Sequence, residues 1–281
     1  MKPVRITCDS ACDLPQALQD RYRIRELPLQ VQLGKSLQQD KVEVDAEALY
    51  RFSSRTGLLP EIRPLSVSRY RDFFLECLRE DCQVLHICPS ARLSQCWSHA
   101  RAAAQGLPDV AVVDSESIAA GAGQLALLAA ELAGADYSLE DLIQALNEMK
   151  KHLDVSCILK SSRFLRKKGR PGGLQAFGED LLNLRPELCL KEGCVRRGKP
   201  FRGDMDQAVL SYVESRVAGR RNIQTDRIFV TYSGMPEGLM ARVRNLLQQL
   251  QPFEQIVEIP AAGAVSGRCG PGSLGLAFMT T

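Results

Sequence analysis

Several loops of this 281-residue chain carry side chains able to bind an anion or move a proton. Asp9-Ser10 follows the apolar run Val4–Cys8, and Asp114-Ser115 follows Val110–Val113. Pro89-Ser90-Ala91-Arg92-Leu93-Ser94 follows Val84–Cys88. A carboxylate beside a hydroxyl at a strand end could serve acid–base chemistry. The same pair is also a favoured helix N-cap and turn former, which needs no ligand. Gly121-Ala122-Gly123-Gln124-Leu125-Ala126 fits the dinucleotide fingerprint GxGxxA. That fingerprint requires its glycines in the turn directly after the strand, whereas Asp114–Ala120 intervene here, so an eased helix start or close helix packing accounts for it. Gly270-Pro271-Gly272-Ser273 fits either a hairpin or a turn whose N–H groups approach a ligand closely. The ten cysteines include no pair separated by two residues, and there are only three histidines, so no metal centre is expected and the thiols read as small packed hydrophobes. No Walker A, GxSxG or HExxH pattern is present.

The elements that position these loops follow a repeated grammar. Val4–Cys8, Val84–Cys88 and Val110–Val113 read as strands, each ending in a small hydroxylated loop that opens a helix. The helices run from Pro15 towards Tyr22, through Trp97 to Ala104, and to Leu132. This is the βα order of a doubly wound parallel sheet, whose ligands sit beyond the carboxyl ends of the strands. A helix at Leu139–Met149 leads to a strand at Val155–Leu159, where composition shifts. Helices near Ala208–Val217 and Pro236–Leu250, and strands at Arg227–Thr231, Ile256–Ile259 and Leu274–Met279, complete the chain. A boundary near residue 155 divides it into an N-terminal α/β domain, 1–155, and a C-terminal α/β domain, 156–281.

Composition sets the class. Hydrophobic residues make up 45% and charged residues 25%, values of a globular protein with a real core, and no apolar run is long enough to span a bilayer. The N-terminus lacks the apolar stretch of a signal peptide, so a cytoplasmic protein is expected. Residues 160–202 hold twelve Lys/Arg against four Asp/Glu, in a chain whose formal net charge is only +3. Phe164, Phe177 and Phe201 are the only aromatics there and no nucleic-acid signature accompanies them, so nucleic acid is not the expected partner. A solvated face or a docking face for an acidic protein remains.

Taken in order, these residues resemble the DegV family, also described as the EDD fold, from about Val4 to Met279. Thr7–Pro15 is similar to its TDSxxDLP opening, and Val84–Trp97 to its strand and serine loop ending in LSGTY. Val113-Asp114-Ser115 with Gly121-Ala122-Gly123 matches DS…GxG, and Phe164–Arg170 matches LKKGGR. Leu182–Pro186 matches LxIKP, Phe201-Arg202-Gly203 the later RG, and Gly270–Leu276 the GPGxLGL terminus. The resemblance implies two domains with a long-chain fatty acid in a tunnel between them. It also implies a carrier without catalysis of its own and without a cofactor, which takes its lipid from a membrane surface and presents the carboxylate to a separate fatty acid kinase. Burying a 16-carbon chain would contribute on the order of 10 kcal/mol.

Departures cluster at the implied headgroup site. The family's TSQP is Glu61-Ile62-Arg63-Pro64 here, and GTHxGPG is Ser266–Gly272 with Arg268 at the histidine position. The resemblance assigns the carboxylate to Ser94 and Ser90 and the headgroup lining to Ile62, with Gly270 in the adjoining turn. Arg63 and Arg268 then either replace lost hydroxyls with guanidinium forks or point to solvent, with Glu61 pairing one of them. Arg170 and Arg202 are the expected partner-docking residues. Rival readings are a binder of a different acidic small molecule or lipid through Arg63 and Arg268, a small-molecule transferase using the two Asp-Ser loops, and a basic adaptor without ligand.

Overall fold

The computed structural model describes residues 2–165 and 184–281. Strands β1 (Val4–Asp9), β2 (Arg25–Leu27), β6 (Gln83–Cys88) and β7 (Val110–Asp114) form a parallel sheet in the order β2-β1-β6-β7. Parallel strands are covered on both faces and so read as unbroken apolar runs. Alternate side chains divide accordingly. Ile6, Cys8, Leu85 and Ile87 pack on α5 (Ala120–Ala133), while Val84 and Cys88 pack on α3 (Val67–Leu78) and α4 (Cys96–Ala104).

Helix α5 is buried on nearly all sides, as its Ala/Leu composition requires. Its core cluster takes in Phe229, Ile259 and Ala277 from a second sheet. A Cβ on Gly123 would stand 2.3 Å from the Cys12 carbonyl oxygen, so Gly121-Ala122-Gly123 serves close helix packing.

The second sheet is mixed. Its order is β10-β9-β8-β13-β11-β12, from β8 (Leu153–Ile158), β9 (Leu184–Lys191), β10 (Cys194–Arg202), β11 (Ile223–Ser233), β12 (Gln255–Pro260) and β13 (Ser273–Thr280). Residue 155 falls inside β8. Helices α7 (Met205–Val217) and α8 (Glu237–Leu250) cover one face through Tyr212, Val213, Leu239 and Val243.

One stretch the sequence reading left without elements forms a small antiparallel sheet: β3 (Gln30–Leu33), β4 (Ser36–Gln39) and β5 (Glu61–Arg63), ordered β4-β3-β5. Between β4 and β5 runs α2 (Ala46–Thr56), capped by the Asp45 carboxylate accepting from the Ala48 N–H at 2.8 Å. Gly270-Pro271-Gly272 is not a hairpin. It joins α9 (Gly263–Cys269), which the sequence reading also missed, to β13.

Helix α9 is fixed from the other half of the chain. Asp13 Oδ1 accepts from the Ala262 N–H (2.8 Å) and Asp40 Oδ1 from the Ala264 N–H (3.0 Å). Burial pushes the Asp13 carboxyl well above the usual range. The folded state therefore holds that proton more tightly than the unfolded chain, and stability falls as pH rises from the unfolded carboxylate range through the folded value. Asp13→Asn keeps the acceptor, tolerates the left-handed φ of 52° and cannot ionise. It should match wild type near pH 4 and be the more stable of the two at pH 8 in denaturant unfolding. Equal stability of the two proteins at pH 8 would contradict this.

Candidate functional site

A cavity of about 680 Å³ lies where the two halves meet. Its walls come from both: Leu93 and Ile118 on one side, Leu188, Leu190, Val195 and Leu276 on the other. Such a volume suits a small-molecule ligand, and apolar walls with few polar groups fix its orientation.

The polar groups are few and unequal. Ser94 lines the cavity from the turn before α4, where its Oγ accepts from the Cys96 N–H at 3.0 Å. Ile62 lines it from β5, against which α9 packs; a Cβ on Gly267 would be 3.2 Å from Ile62 Cδ1. Arg268 lines it from the last turn of α9. Burial pushes the Arg268 guanidinium down, while its charge and the Cys96 thiol, two residues from Ser94, act on one another. Among the described residues Arg268 has no hydrogen-bond or ion-pair partner. A guanidinium stays protonated in a protein, so the cavity wall carries a positive charge at Arg268.

Helix α5 also begins at the cavity, with Ala119, Ala120 and Gly121 in the wall and no side-chain cap, so the positive end of its dipole favours an anion there.

The remaining expected site residues are placed elsewhere. Arg63 does not line the cavity. Its side chain is half-exposed and donates to Glu61 Oε2 at 2.9 Å, while Glu61 itself stands in the cavity wall. Ser90 is fully buried and spent on structure, with its Oγ donating to the Gly193 carbonyl (2.7 Å) and accepting from the Arg92 N–H (3.2 Å). Gly270 supplies conformation. It sits at φ 77°, a Cβ there would meet the Phe164 ring at 2.5 Å, and its N–H donates to the Ser266 carbonyl. The Gly272 N–H likewise donates to the Ser233 carbonyl, so neither amide is available to a ligand. Arg202 stands exposed at the end of β10, and Arg170 lies outside the described residues.

The two Asp-Ser loops are used internally, and not as side-chain helix caps. Asp9 accepts from the Tyr70 hydroxyl (2.7 Å) and Ser10 donates to Asp40 (2.6 Å), while Asp114 accepts from the Ala91 and Glu116 N–H groups. Sequence reasoning missed the cavity's thiols Cys96, Cys157, Cys189 and Cys269 and the buried Thr231 hydroxyl, which no pattern distinguishes from core residues. Burial pushes the Cys96 thiol up to about 12, and Cys269 together with burial holds Cys157 well above the ordinary thiol range. These two thiols therefore remain protonated and poorly nucleophilic.

The family model described as "Uncharacterised protein, DegV family" matches residues 3–281. The chain belongs to the DegV family. A DegV domain-containing protein of Deinococcus radiodurans is 29% identical over 282 residues, 98% of each chain. A fatty acid-binding protein of Thermotoga maritima is 24% identical over 278 residues, 97% of this chain and 96% of its own. The solved structure of a DegV family protein from Thermus thermophilus, described as fatty acid binding, superposes with a TM-score of 0.86 at 30% identity, covering 99% of this chain and 100% of that one. This DegV chain thus has the family's fold with an arginine at its cavity.

The two arginines separate experimentally. Arg268→Met keeps most of the volume and removes a partly buried charge, so it should raise the thermal midpoint of the ligand-free protein. Arg63→Ala should leave the midpoint nearly unchanged, since an exposed pair contributes little. An Arg268→Met midpoint below that of wild type would contradict this.

Proposed function

We propose that this protein is a carrier that holds one long-chain fatty acid in the cavity, with the carboxylate on Arg268 and the acyl chain along the apolar wall. The observation that carries this reading is a half-buried guanidinium without a hydrogen-bond or ion-pair partner among the described residues, lining a largely apolar space of about 680 Å³. An ionised headgroup supplies the missing charge, and each buried CH₂ adds about 0.8 kcal/mol. The Ser94 hydroxyl adds a neutral hydrogen bond, and Ile62 closes the headgroup end. The fatty-acid-binding relatives from Thermotoga maritima and Thermus thermophilus support the same ligand class. A carrier without catalysis of its own agrees with the protonated Cys96 and Cys157 thiols, which offer no ready nucleophile. No cofactor is required for that role.

The finer proposal is that the protein acts in the cytoplasm, draws its lipid from a membrane surface and presents the carboxylate to a fatty acid kinase. Its support is the family resemblance and the charge of β10, an edge strand with Arg196, Arg197, Lys199 and Arg202 all exposed. Charges on an edge strand also deter strand-to-strand aggregation, so the docking role needs its own test.

Protein incubated with vesicles containing equal palmitate and methyl palmitate, then separated and extracted, should carry about one palmitate per chain and little ester. Recovery of neither lipid, or of both equally, would refute the charged-headgroup reading. With a fatty acid kinase present, the double reversal Arg196→Glu and Arg202→Glu should slow complex formation and flatten its salt dependence without altering lipid content. Unchanged association would dispose of the docking face and leave lipid binding standing.

A further inference from the structure

Three side chains with metal-ligand chemistry converge on the face of the parallel sheet that packs against α3, next to Cys96 of the cavity wall. Strands β1 and β6 run side by side with Thr7 beside His86. The two-residue period of a strand then puts Thr7, Asp9, His86 and Cys88 on one face. All four are fully buried. A carboxylate oxygen of Asp9, a ring nitrogen of His86 and the Cys88 Sγ lie within 4.8 Å of one another.

Two atoms of this cluster lack what buried polar atoms normally have. Asp9 Oδ2 and His86 Nε2 are enclosed without a hydrogen-bond partner among the described residues. Their opposite ends are held. The Tyr70 hydroxyl donates to Asp9 Oδ1 at 2.7 Å, and His86 Nδ1 is 2.8 Å from Thr7 Oγ1. Ligands of a metal are commonly oriented in this way, with the far nitrogen or oxygen tied to a neighbour and the near one left for the ion.

We propose that Asp9, His86 and Cys88 form a closed site for a single zinc-type divalent cation. One nitrogen, one sulfur and one oxygen are a set that such ions accept. Ligand atoms around a tetrahedral ion at 2.0–2.3 Å stand roughly 3.5 Å apart, and the three ligand groups here already lie within 4.8 Å of one another. Charge also balances. On binding, the Cys88 thiol gives up its proton to water, and one thiolate and one carboxylate neutralise the ion's two positive charges, so no net charge is buried. Complete enclosure makes the site structural and means the ion enters as the chain folds. It would tie the carboxyl ends of β1 and β6 together beneath the loops that carry Ser10 and Ser90. The proposal does not depend on what the cavity binds.

The test is refolding. Wild type is unfolded in guanidinium with reductant and chelator, then refolded with a small excess of Zn(II) or Co(II) and desalted. It should retain about one ion per chain, melt higher than protein refolded without metal, and show a thiolate-to-cobalt charge-transfer band in the Co(II) form. Cys88→Ser should lose that band and bind at least about a hundredfold more weakly, while Tyr70→Phe, which leaves the ligands in place, should weaken retention ten- to a hundredfold. Cys194→Ser, outside the cluster, should behave as wild type. Wild type that refolds natively without retaining metal would overturn the proposal. So would a Cys88→Ser protein with undiminished metal and band, since another group of thiols would then hold the ion.

Discussion

Holding a guanidinium at a largely apolar cavity, with no counter-ion among the described residues, is the constraint on which this molecule turns. An unpaired buried charge costs several kcal/mol, so it persists only if the backbone that carries it cannot move it to water. Here that backbone is α9, seven residues of which two are glycine, and a poor helix on its own. Its start is held by the carboxylates of Asp13 and Asp40, from the N-terminal half. Its middle is held by Ser266, bonded to Ser233 of β11, which in turn meets the Tyr50 hydroxyl of α2. Both halves therefore grip the short helix that aims Arg268, and the cavity exists because of that grip.

The same grip explains the division between affinity and selectivity. Apolar walls reward any acyl chain in proportion to its length, without regard to its headgroup. A desolvated guanidinium rewards only an anion, and more strongly in the cavity than it could in water. Arg63, paired with Glu61 at the surface, contributes nothing of this kind. Of the two arginines, only Arg268 therefore places its charge in the cavity wall.

How much of this was legible in the sequence depended on what holds each part. The β1, β6 and β7 units and the long helices announce themselves because buried parallel strands and core helices need unbroken apolar runs. Strands β3 and β4, with sequences QVQL and SLQQ, carry too little apolar alternation to be seen. Helix α9 is invisible because its caps, Asp13 and Asp40, lie more than 200 residues away. At the site, Ser94, Ile62 and Arg268 share one cavity wall. Arg63 could not be set aside in sequence, since its partner Glu61, two residues earlier in β5, does stand in the cavity wall. Ser90 and Gly270 were misread because a hydroxyl and a glycine that support a turn look, in sequence, like ones that meet a ligand.

The central claim is that Arg268 holds an ionised carboxylate, and carbon NMR of carboxyl-labelled palmitate in complex with the protein tests it most directly. The carboxyl signal should keep the chemical shift of the ionised form well below the pH at which palmitate in lipid vesicles protonates, and Arg268→Met should restore ordinary titration. A bound carboxyl that protonates in wild type at the same pH as in vesicles would contradict the account.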